Sequence, residues 1–464
     1  MKRFYISAIL CLCLFLGGCF NFSPKYAPPE LPQNIPTEYK EEDGWKTATP
    51  KDALDRGSWW ELFADSELNR LMDQLNVANQ DIARAAANLR RARSQIGAAR
   101  SAFFPGISLP ASYTRSRRDN AAIGSSYSVG VSAEWEISFW NALPAFEAVK
   151  AEASATAADL ATMRLSCQAE LAQAYFDLCV LDERISLYEE TIKAYEKALQ
   201  LTQSQFQGGM VTRTDVAQAE STLAQAQAEH MGLLRQRAQM EHAVAILTGQ
   251  IPSLFTLERG TLQARVPSVP LDMPSTLLER RPDIAAAERR VASANQQIGV
   301  ARAAWFPALT LGGNRGIEAA GWHSSPITIW SLGPSAALSL FQGGKHLADS
   351  DAAWADYEAS VADYRQTVLQ AFKDVEDNLA ALNYLDKEGE AQERAVESAN
   401  TTLRLAMAQY QGGMTTYLQV VSAQATALNS QSAAIQVRGQ KLVTAVNLIK
   451  ALGGGWQGLE AGEE

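Results

Sequence analysis

The sequence predicts a mainly α-helical fold with membrane β-strands, assembled from an internal duplication. The stretch Gln80 to Leu109 returns as Pro282 to Leu311, and QFQGGM (Gln205 to Met210) returns as QYQGGM (Gln409 to Met414). Between these landmarks lie runs almost free of glycine and proline, too long for the helices of an ordinary globular domain. Ahead of each run the apolar pattern switches to a strict period of two, the mark of a strand. A duplication of so long a period implies two pseudo-symmetric halves, each supplying half of one structure.

Residues 1–18 read as a leader. Lys2 and Arg3 precede the apolar run Phe4 to Leu16, which is short for a membrane span, and Leu16-Gly17-Gly18-Cys19 closes it with small residues. This order is similar to a bacterial lipoprotein signal, which would make Cys19 the acylated first residue of the mature chain. The alternative is an ordinary signal peptide ahead of a chance cysteine. Under the sorting rule that comes with the lipoprotein resemblance, Phe20 in place of Asp favours the outer membrane. Residues 19–65, rich in proline and polar side chains, read as an extended arm. The net charge of −10 with no basic block excludes nucleic acid as a partner. Cys167 and Cys179 fall on one predicted helix about 18 Å apart, beyond disulfide reach, and read as small core residues.

The first half then comprises a helix over 66–104, a β-hairpin over 105–140 and a long helical hairpin over 143–248. A connecting segment (249–280) leads to the second half: a helix over 281–304, a β-hairpin over 305–342, a helical hairpin over 343–451 and a tail over 452–464. From Leu143 to Gln207 there is no glycine, and Pro144 is the sole proline, placed where a first turn tolerates it. Such a helix would be about 95 Å long. Within it Leu171, Ala174, Leu178, Leu181, Ile185, Tyr188, Ile192, Tyr195, Leu199, Thr202 and Phe206 alternate in threes and fours, a seam that calls for partner helices. Val396, Ala399, Leu403, Ala406 and Tyr410 repeat it in the second half. Gly208-Gly209 and Gly412-Gly413 end the long helices, since glycine takes the left-handed closing conformation. Return helices start after Thr212 and Thr415. Taken alone, these hairpins fit soluble coiled-coil arms equally well.

The strands weigh against that reading. Tyr127, Val129, Val131, Ala133, Trp135, Ile137 and Phe139 alternate with Ser126, Ser128, Gly130, Ser132, Glu134, Glu136 and Ser138. Ile107 to Ser116 and Trp330 to Leu340 alternate in the same way. A soluble sandwich gives this pattern as well as a membrane barrel does, and the outer-membrane address favours the barrel. Two hairpins supply about four strands where a membrane barrel needs at least about eight. An open edge cannot face lipid, so the barrel must be shared between chains.

Taken together, these residues resemble the TolC-like outer-membrane efflux proteins, specifically the lipid-anchored subgroup serving multidrug pumps. The resemblance covers nearly the whole mature chain. It rests on Trp59 to Phe63, Arg281-Pro282-Asp283-Ile284, the two Phe-Pro pairs ahead of the strands, the two Gly-Gly tips and Ala451 to Trp456, all in family order. It implies a homotrimer with a 12-stranded outer-membrane β-barrel continuous with a long periplasmic α-helical barrel, and an equatorial collar near 250–275 and 385–395. It also implies a passive exit duct for drugs or other small toxic compounds. A periplasmic adaptor and an inner-membrane, proton-driven pump would be its partners, with outer-membrane lipid around it. Heavy-metal cation efflux and type I secretion are alternatives, and a lipid-anchored coiled-coil scaffold without a lumen is a further one.

The implied site residues follow from the same resemblance. The helical tips Gly208, Gly209, Gly412 and Gly413 would meet the adaptor, and Asp215, Thr415, Gln419 and Ser422 would line or brace the periplasmic aperture. At the last three positions some relatives carry an Arg and two acids, so an ion gate built on those groups is not expected. Ser138-Phe139-Trp140-Asn141 departs from the family's Asp-Leu-Trp-Gly between strand and helix. Glu134 and Glu136 either line the barrel lumen or are ordinary solvating residues. Met210 and Met414, symmetric at the tips, either pack there or offer soft-metal thioethers. His230, His242, His323 and His346 are scattered without metal-ligand spacing, so neither an enzyme site, a resident metal nor a cofactor is expected.

Overall fold

The computed structural model describes residues 21–30, 56–117, 119, 123–262, 264, 266–267, 281–321 and 324–454. Cys19, His323, residues 268–280 and the tail from Gly455 lie outside them. The chain divides into two units, one of residues 1–33, 87–159 and 283–367, the other of residues 34–86, 160–282 and 368–464.

The first unit holds one antiparallel sheet. Its strands are β1 (Gly106–Ser108), β2 (Ala111–Ser116), β3 (Gly124–Glu136), β4 (Ala308–Ala319) and β5 (Ile327–Ala337). β1 and β2 are two pieces of one edge, both paired to β3, with the order continuing through β4 to β5. The break falls at Leu109-Pro110, where proline has no N–H to give the ladder; its carbonyl still accepts from Gly130 N at 3.1 Å. The duplication is visible in the pairing, since β3 of the first half lies against β4 of the second. The last strand ends at Ala337, so Leu338 and Leu340 fall beyond the ladder.

The helices are α1 (Ser66–Ala78), α2 (Gln80–Arg100), α3 (Phe139–Gln207), α4 (Arg213–Leu247), α5 (Pro282–Ala303), α6 (Lys345–Gln411) and α7 (Tyr417–Ala451). Five of these differ from the sequence expectation. The single helix over 66–104 is two, because Asn79 is extended. Its Oδ1 accepts from Asp81 N and Ile82 N while its Nδ2 donates to Leu247 O at 2.9 Å, which caps α2 and ties it to α4. Helix α3 starts at Phe139, earlier than 143, so Pro144 sits in its second turn. Buried Ser138 makes that junction: its carbonyl accepts from Asn141 N and Ala142 N, and its hydroxyl accepts from Leu309 N at 2.8 Å. Helix α7 starts after Thr416, one residue later than Thr415, and the Thr416 side chain makes no capping bond. No collar insertion interrupts 385–395: α6 is continuous there, and a Cβ on Gly389 would lie 2.8 Å from Lys441 Nζ, which pairs with Asp386. The end of the arm is not extended either, as Arg56–Phe63 forms a 3-10 helix.

The core of the second unit explains that last difference. Trp59, Trp60 and Phe63 are buried with Leu68, Leu71, Met72 and Leu75 against Leu171, Phe176 and Leu178 of α3 and Val446 and Leu448 of α7. Trp59 Nε1 donates to Gln168 Oε1 at 3.2 Å. Seam residues Leu171, Leu178, Ile185 and Thr202 are fully buried, while Phe206 at the helix end is exposed. Arg281 donates to Asp374 and to Ala451 O at 3.2 Å, tying the second-half motif to α6 and to the end of α7. Cys167 and Cys179 are free and buried.

Candidate functional site

Three places carry the candidate functional residues. In the sheet, pairing aligns residues of like character across strands. Ser108 and Ser132 hydroxyls lie 2.7 Å apart, and Ser112 and Ser128 2.9 Å. Ser132 stands opposite Asn314 and then Ser331; Glu136 stands opposite Thr310 and then Ser335. This polar face carries Glu134, Glu136 and Glu318, of which Glu318 was missed, although it keeps the period of two set by Leu309 and Leu311. Ile327 and Ile329 interrupt the polar face at the start of β5. The other face holds Val129, Val131, Trp135, Ile317, Leu311, Trp330 and Leu332, interrupted by Arg115 and Arg315. Both Trp330 and Leu332 are more than 70 % exposed in the lone chain.

At the tips, both long helices close with the same motif. Gly209 (φ +71°) and Gly413 (φ +69°) are left-handed. Met210 N reaches Gln205 O at 2.8 Å and Met414 N reaches Gln409 O at 2.9 Å, the paired bonds of a glycine-closed helix end. Gly208 and Gly412 have ordinary φ; a Cβ there would meet only the Met210 or Met414 methyl at 3.3 Å before the turn backbone. Those methionines are exposed, with their methyls folded back over the glycines.

The two tips are then unlike. Asp215 forms a capping box: Thr212 N and Oγ1 donate to Asp215 Oδ2 at 2.9 and 2.8 Å, and Asp215 N returns to Thr212 Oγ1. In the second tip Thr415 Oγ1 donates to Gln419 Oε1 at 2.6 Å, and Gln419 and Ser422 are exposed. Tyr410 joins the tips by donating to Gln205 Oε1 at 2.8 Å, with its ring 5.3 Å from Tyr417. Sequence reading missed this bond, whose signal is the one difference between the repeats, Phe206 against Tyr410. Burial pushes the Tyr417 phenol up to about 12.

Along α5 lies the arm that follows Cys19. Phe22 stacks on Phe306 at 4.2 Å, Ser23 Oγ donates to Gln296 Oε1 at 2.7 Å, and Asn295 Nδ2 donates to Pro24 O at 2.9 Å. Tyr26 donates to Glu288, and burial together with that carboxylate raises its pKa. Gly299 makes the fit possible, since a Cβ there would lie 2.1 Å from Ser23 Oγ. Among the described residues no group of three or more His, Cys, Asp or Glu side chains could hold a metal ion.

Residues 71–250 and 273–454 each match the family described as outer membrane efflux protein. The chain belongs to that family. It is 31% identical to outer membrane protein OprJ of Pseudomonas aeruginosa, covering 98% of this chain and 96% of that one. To the pyoverdine export outer membrane protein OpmQ of the same organism it is 32% identical, over 97% of each chain. Its structure superposes on the open-state outer membrane channel MtrE of Neisseria gonorrhoeae with a TM-score of 0.82 at 28% identity, covering 94% of this chain and 98% of the other. The two matched segments are the two halves of the duplication. The protein is an outer-membrane efflux channel of the TolC-like fold, in which three chains complete a β-barrel and a helical barrel. It works with an adaptor and an inner-membrane pump.

Proposed function

We propose that this channel is a passive exit duct for drugs and other small toxic compounds, fed by a proton-driven pump. The observation that carries this is the polar sheet face, rich in serine and carrying carboxylates but no Lys or Arg among its described residues. A lumen of that kind passes hydrated solutes without binding them. Selection then belongs to the pump. Glu134 and Glu136, with Glu318, give the lumen a negative field that favours cations.

The acylated Cys19 anchors the chain. Acyl groups hold a membrane when more than one is present, and the arm from Phe22 onward packs along α5, with the Phe22 ring stacked on Phe306. Gly208, Gly209, Gly412 and Gly413 shape the tips that receive the adaptor. Asp215, Thr415, Gln419 and Ser422 brace or line the periplasmic aperture: Asp215 through its capping box, Thr415 and Gln419 through their mutual bond, and Ser422 as an exposed hydroxyl.

Planar-bilayer recording of the purified trimer tests the duct. Discrete ion steps with a reversal potential on the cation side are expected, and the triple change Glu134→Gln, Glu136→Gln, Glu318→Gln should bring that potential toward zero. Absence of steps would leave a stalk without a lumen. Loss of drug resistance on deletion, restored by the intact gene, tests the class of compound.

A further inference from the structure

The duplication gives the first unit two like grooves, and the chain has one arm to fill them. On α5 the arm meets a single row of positions. Asn295 Nδ2 donates to Pro24 O, Gln296 Oε1 accepts from Ser23 Oγ, and Gly299 leaves room for that serine. Arg302 Nη1 donates to Phe22 O at 3.2 Å, and Phe306 stacks on the Phe22 ring. The Arg302 guanidinium also lies 5.5 Å from the centre of the Trp354 ring of α6. The repeat carries this row onto α2 and the turn after it as Arg93, Ser94, Gly97, Arg100 and Phe104. The flanking helix is repeated as well. Trp305 packs on His346 at the start of α6, with 5.4 Å between ring centres. Its counterpart Phe103 packs on Phe139 and Phe146 at the start of α3, at 6.3 and 5.7 Å. The second groove therefore runs between α2 and α3 of the same chain.

That groove is bare. A Cβ on Gly97 would meet nothing within 4 Å, whereas one on Gly299 would collide with Ser23. Arg93 and Arg100 are exposed, with no ion-pair partner among the described residues, and Phe104 is exposed too. Its charge also differs from that of the arm groove. Arg93 offers a guanidinium where Asn295 offers an amide. Lys150, exposed on α3, holds the place of Trp354 when the repeats are aligned on their Gly-Gly tips. From Ala87 to Arg100 α2 carries four arginines and no acid. Beyond Phe104 the groove reaches Ile107 of β1, which lies 74 % exposed and pairs with Ala133 on the apolar face of the sheet. That face meets lipid. The groove thus opens where helix gives way to hydrocarbon, with cations above and apolar side chains below.

We propose that the α2–α3 groove binds an anionic phospholipid of the periplasm-facing leaflet. Arg93, Arg100 and Lys150 hold its phosphate, and an acyl chain lies over Phe104 and Ile107. Guanidinium groups grip phosphate through paired N–H bonds, and basic grooves at a membrane surface hold such headgroups. The arm supplies the second half with a backbone carbonyl and a phenyl ring, and the lipid supplies the first half with a phosphate and a hydrocarbon chain. The proposal rests on the apolar sheet face meeting lipid and is independent of what the lumen conducts.

Native mass spectrometry of the full-length trimer, titrated with dioleoylphosphatidylglycerol, tests the groove. The trimer should keep one such lipid per chain, more tightly than it keeps zwitterionic dioleoylphosphatidylethanolamine. Arg93→Gln with Arg100→Gln should weaken retention about tenfold. Gly97→Leu, which fills the groove at unchanged charge, should weaken it as well. Arg84→Gln with Arg91→Gln, matched in charge but off the row, should behave as wild type. Equal loss in that control, full retention in the Arg93 and Arg100 variant or in Gly97→Leu, or equal retention of the two lipids would overturn the proposal. Displacement of the lipid by an equal concentration of glycerol phosphate would mark a bare anion site, and displacement by a glutamate-rich peptide a peptide groove. Either result refutes lipid binding.

Discussion

Gly412 and Gly413 are neighbours with the same side chain and different duties. Gly413 sits at φ +69°, where a β-branched residue is strained by about 1–3 kcal/mol. Gly412 has an ordinary φ, and a Cβ there displaces only a flexible methionine methyl. Gly413→Val should therefore abolish efflux in a drug-susceptibility assay while trimer and membrane levels stay normal, whereas Gly412→Ala should stay close to wild type. Asp215→Ala removes the capping box, a loss of about 1 kcal/mol at the start of α4, and should raise resting conductance. Unchanged conductance with normal efflux would place closure on the helix packing around Tyr410, Tyr417 and Val420. The left-handed closure at Gly209 and Gly413 was legible because it is local. The Tyr410–Gln205 bond was not, because it depends on the approach of two distant helix ends.

Elements were legible wherever periodicity sets them and illegible where one side chain decides a boundary. The buried seam of α3 and the paired strands followed from threes, fours and twos. The break at Asn79 did not, because its capping is completed by the Leu247 carbonyl, far away in sequence. The connecting segment is held by a similar device: Asp182 accepts from Arg237 Nε at 2.6 Å and from Gly260 N at 3.0 Å, while Arg237 donates to Leu257 O. For the arm, Gly299→Ala should force Ser23 off α5, and limited proteolysis should then cut within residues 21–30 while the trimer persists. Uncut, the arm would have to be held by its other contacts, the Phe22 stack, the Asn295–Pro24 bond and Tyr26. Helix α3 also predicts a pH effect. Burial pushes the Cys179 thiol from 9.0 up to about 12. A pKa raised in the folded state stabilises fully below the unfolded value and loses that contribution as pH climbs toward the folded one. The melting temperature should thus fall between pH 9 and 12, and native Cys179 should resist iodoacetamide until the protein unfolds. Rapid native alkylation would contradict the burial.

At the scale of the whole molecule, the decisive quantity is the number of strands against the number a barrel needs. One chain gives a single open sheet with β5 at one edge and the split β1–β2 strand at the other. Each free edge presents backbone groups that lipid cannot satisfy, at several kcal/mol apiece, and the apolar face leaves Trp330 and Leu332 uncovered by the chain itself. A single copy in the membrane thus combines unpaired ladders with unmatched helix faces, and neither cost falls until neighbours arrive. Assembly and membrane insertion should be one cooperative event without a stable folded monomer. Light scattering in detergent should give about three chains per particle. Dilution should convert trimers to chains that have lost their β signal in circular dichroism together with resistance to protease. A monomer keeping the full β and helical content would mean that the edges find partners within one chain, which the pairing of β3 with β4 and the free β5 edge do not provide.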